Sequence, residues 1–368
     1  FKQRLMLTKA DDYPIHQLPI PVSEVGTERN FYDRYFFNGY NQEGDIFFAV
    51  ALCLYPNLNI MDGSFVFIYE GIQHNYRYSR ILDQERLNTQ VGALEVQVIE
   101  PLKELRVCVE DKEKNFFVDL TFNSRFEAMQ EPRMTMKSGP RITMDSTRLT
   151  QHGRWKGKIR FQEEQILIEP ETYMGSRDRS WGIRPVGLPD SQPLSPTQIP
   201  QFYWLWCPAN FNEFASHTFF VDDEKGNPIS SHAVIQRKQT DVLVNLSKEV
   251  IYKSGTRRVS KATFLAESPD GSQVKTIIEP KYNMFMCGLG YMHPEWGHGH
   301  FKGENESHYD FYDLKDDPHN PPFLHIQAIS KIQIIEEGTT TEGCGVLEQL
   351  LIGRHKPSNF QDILDLAK

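Results

Sequence analysis

The sequence predicts an all-β chain built as two consecutive antiparallel β-barrels or sandwiches. Short stretches with every second side chain apolar recur along it, as in Leu94-Glu95-Val96-Gln97-Val98, which is how a strand with one buried face reads. Turn residues such as Asp62-Gly63 and Asp111–Asn115 separate these stretches, and no long helical period interrupts them. Residues 186–200 hold four prolines in fifteen positions and divide the strands into two groups, as a semi-rigid connector would. A length of 368 residues also favours two domains over one.

Taken in order, residues 1–30 are polar and carry Pro14, Pro19 and Pro21, so they read as a leading arm. The first β domain is assigned to 31–185. It opens on F-Y-D-R-Y-F-F-N-G-Y (31–40), whose six Phe and Tyr side chains need a packing partner and whose Asp33-Arg34 pair reads as an ion pair at a barrel mouth. Strands are expected at 46–55, 64–70, 76–82, 91–99, 104–110, 116–122, 157–161 and 165–168, with one short helix at Ser124–Gln130. The second β domain is assigned to 201–356, with hairpin turns at 222–227 and 268–272, where glycine sits as such turns require. A short amphipathic helix over Asn359–Ala367 is expected to close the chain, making 357–368 a C-terminal element.

Composition removes several function classes. Net charge is −9 and no run of Lys or Arg occurs, which argues against nucleic acid or an anionic membrane surface as partner. Five cysteines, odd in number and without a C-x-x-C pair, fit free thiols in a reducing, cytoplasmic compartment better than a disulfide framework. No apolar run reaches the ~18 residues of a membrane span, and no leader pattern is expected at the N-terminus. P-loop, Rossmann and nucleophile-elbow motifs are missing, so nothing points to a nucleotide cofactor. The 24 Phe and 15 Tyr residues suit β-rich cores or a large apolar pocket. A hydrophobic small molecule is the expected partner, and a homodimer is compatible with the sequence.

Four stretches could carry chemistry. In G-S-R-D-R-S-W-G-I-R-P (175–185), Arg177, Arg179 and Arg184 are expected to surround Asp178, either as a structural ion-pair knot or as the setting for a proton donor or acceptor with Trp181 as a wall. The stretch Met284–Glu304 holds His293, Glu295, Trp296, His298 and His300 among Gly288, Gly290, Gly297 and Gly299. In strand geometry His298 and His300 share one face and His293 and Glu295 another, so three readings stand: a metal site, acid–base groups lining a pocket with Tyr291, or histidines fixing a tight bend. Pro294 and the glycines exclude the helical H-E-x-x-H arrangement. The third is Asp33-Arg34. The fourth is Y-W-L-W (203–206), which puts Tyr203 on one strand face and Trp204 and Trp206 on the other, with core packing or a ligand cavity as their roles.

The R-D-R-S-W-G-I-R-P segment, the G-L-G-Y-M-H-P-E-W-G-H-G segment and G-V-L-E-Q (345–349) together resemble the AttH and carotenoid 1,2-hydratase superfamily. That resemblance implies two lipocalin-like barrels in tandem and carries Asp178, Trp181 and Gly182 over from the family's D-x-x-W-G element. It also implies chemistry without cofactor or metal on a terpenoid- or lipid-like substrate: hydration, isomerisation or cyclisation at a C=C bond, a hydro-lyase or an isomerase. Under that reading Asp178 is the acid, Trp181 and Trp296 flank a cationic intermediate, and His293 or Glu295 positions water. Because arginines lower the pKa of a neighbouring carboxyl, the wrong direction for an acid at neutral pH, Glu295 is the alternative acid. Met284–Glu304 is then expected as a second-barrel strand with a bent end, facing a site shared with Asp178. Two alternatives remain: a lipophile carrier without catalysis, and a metal-dependent enzyme using the histidine cluster.

Overall fold

The computed structural model describes residues 7–17, 26–189 and 200–368. The expected connector at 186–200 therefore falls largely outside the described residues. The chain is all-β, with a fourteen-stranded and a nine-stranded antiparallel sheet, each nearly closed into a barrel. Two compact units result, one of residues 1–196 with 288–312 and one of 197–287 with 313–368.

In the first unit, strand Phe31–Asn41 lies between Phe47–Tyr55 and Tyr173–Ile183, and the latter pairs onward with the long strand Arg141–Phe161. Ile60–Tyr69 and Ile72–Ile81 follow on one side, and Asn305–Asp313 joins there as an added strand. The interior is aromatic, with Tyr35, Phe37, Phe48, Phe65, Phe116, Phe122 and Trp155 in one cluster. Every residue from Phe31 to Tyr40 is buried, so this strand is covered on both faces. In the second unit the order runs from Thr240–Val242 through Pro228–Gln236, Ala215–Asp222, Phe202–Asn210, Thr339–Ile352, Ile326–Glu336, Gln273–Phe285 and Val259–Glu267 to Val244–Tyr252. The turns at 222–227 and 268–272 form as read, with Gly226 and Gly271 at φ +88° and +89°.

Four local expectations are corrected. Residues 124–130 form no helix: the strand Phe116–Ser124 runs to its end, and Met129–Gln130 pairs with Leu149 and Thr150 of the long strand. Pairing with that strand satisfies the backbone that a helix would have satisfied internally. The tail is a 3-10 turn at Lys356–Ser358 followed by irregular chain. Arg257 takes the carbonyls of Asp362 and Asp365, and Thr256 the amide of Ala367, so no helical ladder forms. Asp62-Gly63 is not a turn but part of strand Ile60–Tyr69; the chain reverses earlier, at Pro56–Leu58. Finally, the Met284–Glu304 stretch is strand only to Phe285, and from Gly288 it belongs to the first unit rather than the second.

Candidate functional site

Alternation along strand Tyr173–Ile183 sorts the R-D-R-S-W motif onto two faces. Arg177, Arg179 and Trp181 pair across with Phe37, Tyr35 and Asp33, on the interior face. Asp178 and Ser180 pair with Phe36 and Arg34, on the opposite face. The expected ring of three arginines about Asp178 is therefore corrected: period two puts its sequence neighbours on the other side of the sheet. Arg177 holds Asp12 of the N-terminal arm through two bonds of 2.6 and 3.1 Å. Arg179 donates to Asp33 at 2.7 Å and lies 3.9 Å from the Tyr35 ring centre. Trp181 stacks on His16 with ring centres 3.7 Å apart. Asp33, expected to pair with Arg34, instead joins Arg179 and His16. These groups clamp the arm onto the barrel, and none of them faces Asp178.

The opposite face carries a different set. Tyr32, Cys53, Tyr55 and Ile60 cluster there with Val186. Arg34 stands across from Cys53, and Cys53 across from Asp62, so the three share this face with Asp178. The stretch from Gly288 lies over them. Gly288 approaches so closely that a Cβ would fall 2.2 Å from Asn75 Oδ1. Gly299, at φ +73°, donates its N–H to Asp62 Oδ2 at 2.7 Å. Tyr55 donates to the other oxygen at 3.2 Å. Tyr291 accepts a hydrogen bond from Arg34 Nη1. Arg184 Nη2 donates to His298 Nδ1 at 2.8 Å, while His298 Nε2 lies 2.8 Å from the Leu289 carbonyl. A guanidinium has only protons to give and a carbonyl only lone pairs, so His298 is neutral with its proton on Nε2.

The site's electrostatics centre on Asp62. Burial pushes its carboxyl up to about 7, against the opposing pull of the Gly299 amide, Tyr55, Arg184 and Arg34. Tyr55 is raised by burial and then by Asp62, which keeps the phenol protonated as a donor. Burial pushes the Cys53 thiol up to about 12, so it is no thiolate nucleophile at neutral pH. Arg34 Nη2 is 3.9 Å from Asp178 Oδ1. The Nε atoms of Arg34 and Arg184 are buried donors with no hydrogen-bond partner among the described residues. The Arg34 and Arg184 guanidiniums, beside an Asp62 carboxyl that burial holds near 7, suit an oxygen that gains negative charge.

The remaining candidates fall elsewhere. Glu295 is exposed, and its carbonyl accepts from His300 Nδ1 and Lys302 Nζ. His293 Nδ1 accepts the amides of Glu295 and Trp296 at 3.1 and 2.9 Å, and burial lowers the ring to about 4, so it fixes the bend as a neutral group. Trp296 stacks on His308 beneath Lys302. The faces of Tyr32 and Tyr291 are taken by Arg184 and Arg34. The reading in which Trp181 and Trp296 flank a cation from a place beside Asp178 is thus corrected. The metal reading is corrected too: the histidine nitrogens point at different backbone and side-chain partners, and no group of three or more ligands assembles among the described residues.

Tyr203, Trp204 and Trp206 lie in the second unit. Tyr203 bonds Tyr252, Trp204 donates to Glu348 at 3.0 Å, and Trp206 packs edge-on to His217. Asp62 is the site residue that sequence reasoning missed. Its partners arrive from residues 55, 184 and 299, so no local motif marks it.

The chain shares its fold with the crystal structure of an AttH-like protein from Nitrosomonas europaea (13% identity, TM-score 0.52, 86% of this chain and 92% of that one covered). CghA in complex with Sch210972 matches at 10% identity and TM-score 0.52, covering 90% and 95%. Kievitone hydratase from Nectria haematococca matches at 12% identity and a lower TM-score of 0.49, covering 86% and 88%. The tandem β architecture is the likeness that the sequence motifs implied, and at such identities it speaks to fold. No curated protein matches the sequence. No helix among the described residues is long and apolar enough to cross a membrane. A family model matches residues 7–361, and the chain therefore belongs to the family of unknown function DUF8625.

Proposed function

We propose that the protein is a cofactor-independent acid–base enzyme that moves a proton at a C=C bond conjugated to a carbonyl in an apolar, terpenoid- or lipid-like substrate. The observation that carries this reading is Asp62, a carboxyl that burial holds near 7 beside two arginines whose Nε–H groups lack partners among the described residues. A carboxylate titrating near 7 can both accept and return a proton under ordinary conditions. Arg34 and Arg184 supply donors for the enolate oxygen that forms when the proton leaves.

Spacing supports a division of labour between the two aspartates. Asp178 and Asp62 sit on strands three steps apart in the sheet, roughly 14 Å at about 4.8 Å per step. Both cannot act on one double bond. Asp62 is therefore the proton carrier, and Asp178 is a positioning residue that holds Arg34. One carboxylate suffices: it takes a proton from the allylic carbon and returns it to the far end of the dienolate, two carbons away, or it takes a proton from water adding to the β-carbon and returns it to the α-carbon. The first course isomerises the bond, and the second hydrates it.

The test incubates the protein with a panel of apolar α,β- and β,γ-unsaturated ketones and follows products by chromatography with ultraviolet and mass detection, which separates isomers of equal mass. An isomer of unchanged mass or a product one water heavier is expected. Asp62→Asn should lower kcat by about 10²–10⁴. Substrates recovered unchanged by the wild type, yet co-purifying with it, would replace this reading with the carrier. Full activity in Asp62→Asn would remove Asp62 from the chemistry.

A further inference from the structure

We infer that the second unit carries a separate binding site for a small hydroxyl-bearing ligand, centred on Asp222. The site does not draw on the residues around Asp62. Strands Phe202–Asn210 and Ala215–Asp222 pair Tyr203 directly with Asp222, and Phe220 lies two residues back on the same face. These side chains, with Lys248, His355 and Ser358, line a cavity of about 500 Å³, within the range of small-molecule sites.

Asp222 is 2% exposed. Its Oδ2 takes Lys248 Nζ at 2.6 Å and His355 Nε2 at 3.3 Å. Oδ1 is buried and has no hydrogen-bond partner among the described residues. An unmet carboxylate oxygen is costly to bury, and Asp222 is among the residues that line the cavity, so a rotation of its carboxylate lets a ligand satisfy it. Behind it runs a chain of polar groups. His355 Nδ1 meets Ser358 Oγ at 2.6 Å, Ser358 meets Tyr252 at 2.6 Å, and Tyr252 meets Tyr203 at 3.0 Å. Lys248 Nζ stands 4.4 Å from the Phe220 ring centre and 5.3 Å from that of Tyr203.

The chemistry selects the ligand. A group that meets Oδ1 must donate, and one beside the Lys248 ammonium gains by accepting. A hydroxyl does both; a carbonyl or carboxylate cannot donate, and an ammonium cannot accept. Phe220, Leu246, Val250, Pro228 and Pro357 give the cavity apolar walls, so the hydroxyl belongs on a compact apolar or aromatic body.

The experiment uses 2-naphthol as probe and 2-methoxynaphthalene as its non-donating match, with the full chain labelled at Leu and Val methyls. Saturable shifts at Leu246 and Val250 are expected with 2-naphthol, and at least tenfold weaker affinity for the methyl ether. Asp222→Asn should weaken 2-naphthol at least tenfold. If that variant unfolds, Ser231→Phe, which fills the cavity opposite Phe220 without touching Asp222, should abolish the shifts while leaving thermal unfolding cooperative. Unmoved Leu246 and Val250 methyls, equal affinity for both probes, or unchanged binding in a folded variant would overturn the assignment.

Discussion

Replacing Asp62 by Asn gives a stability test whose sign follows directly from the site. The folded carboxyl titrates near 7 because of burial, whereas an unfolded chain's aspartate titrates at about 3.9. The folded state thus holds this proton more tightly than the unfolded state does. Its contribution is complete below pH ~4 and is lost as pH rises through about 7. Between pH 5 and pH 8 the loss amounts to about 2–3 kcal/mol by linkage, or about 2 kcal/mol once the partial solvent contact of the side chain is discounted. Asparagine keeps the shape and cannot ionise. Urea unfolding of both proteins at pH 5 and pH 8 should therefore show the wild type losing about 2 kcal/mol more than Asp62→Asn over that interval. Comparing the two proteins cancels other titrating groups, His16 among them. Equal losses in both would refute the argument that burial holds Asp62 near neutrality.

Other outcomes follow from the same structure. Asp12→Ala leaves fully buried Arg177 without its carboxylate and should cost about 3–5 kcal/mol in urea unfolding, part of which Arg177→Met should recover in the double variant. Arg34→Met should lower kcat by about 10²–10³, while Trp181→Leu and Glu295→Gln, which face away from Asp62 or into solvent, should leave the pH dependence of turnover unchanged. Gly299→Ala places a Cβ 3.0 Å from Leu58 Cδ1 at a backbone φ of +73° and should cost about 1–2 kcal/mol. By displacing the N–H that stabilises the Asp62 carboxylate, it should also move the pH midpoint of activity upward.

The architecture was legible because most strands bury one face and expose the other, as Leu94–Glu100 does. The central strands were harder to read. Phe31–Asn41 and Tyr173–Ile183 are covered on both faces and spend their interior positions on Asp33, Arg177 and Arg179 as well as on aromatics. Polar groups that bury in pairs erase the apolar alternation by which a strand is recognised. The motif at 175–185 reads as a charged knot because its arginines flank Asp178 in sequence, but a strand separates sequence neighbours onto opposite faces. The stretch from Gly288 announced a close approach through its glycines, and Gly288 and Gly299 do lie flat against the first sheet. What it approaches depends on strands more than two hundred residues away, so neither Asp62 nor the unit to which the stretch belongs could be read locally.

The pH profile of turnover tests the central claim most directly. If Asp62 begins each cycle as the proton acceptor, kcat/KM for an unsaturated ketone should rise with pH through a midpoint near 7 and then level off, and the residual activity of Asp62→Asn should lose that midpoint. A wild-type profile that is flat or falls between pH 6 and pH 8, or a midpoint that survives in Asp62→Asn, would contradict it.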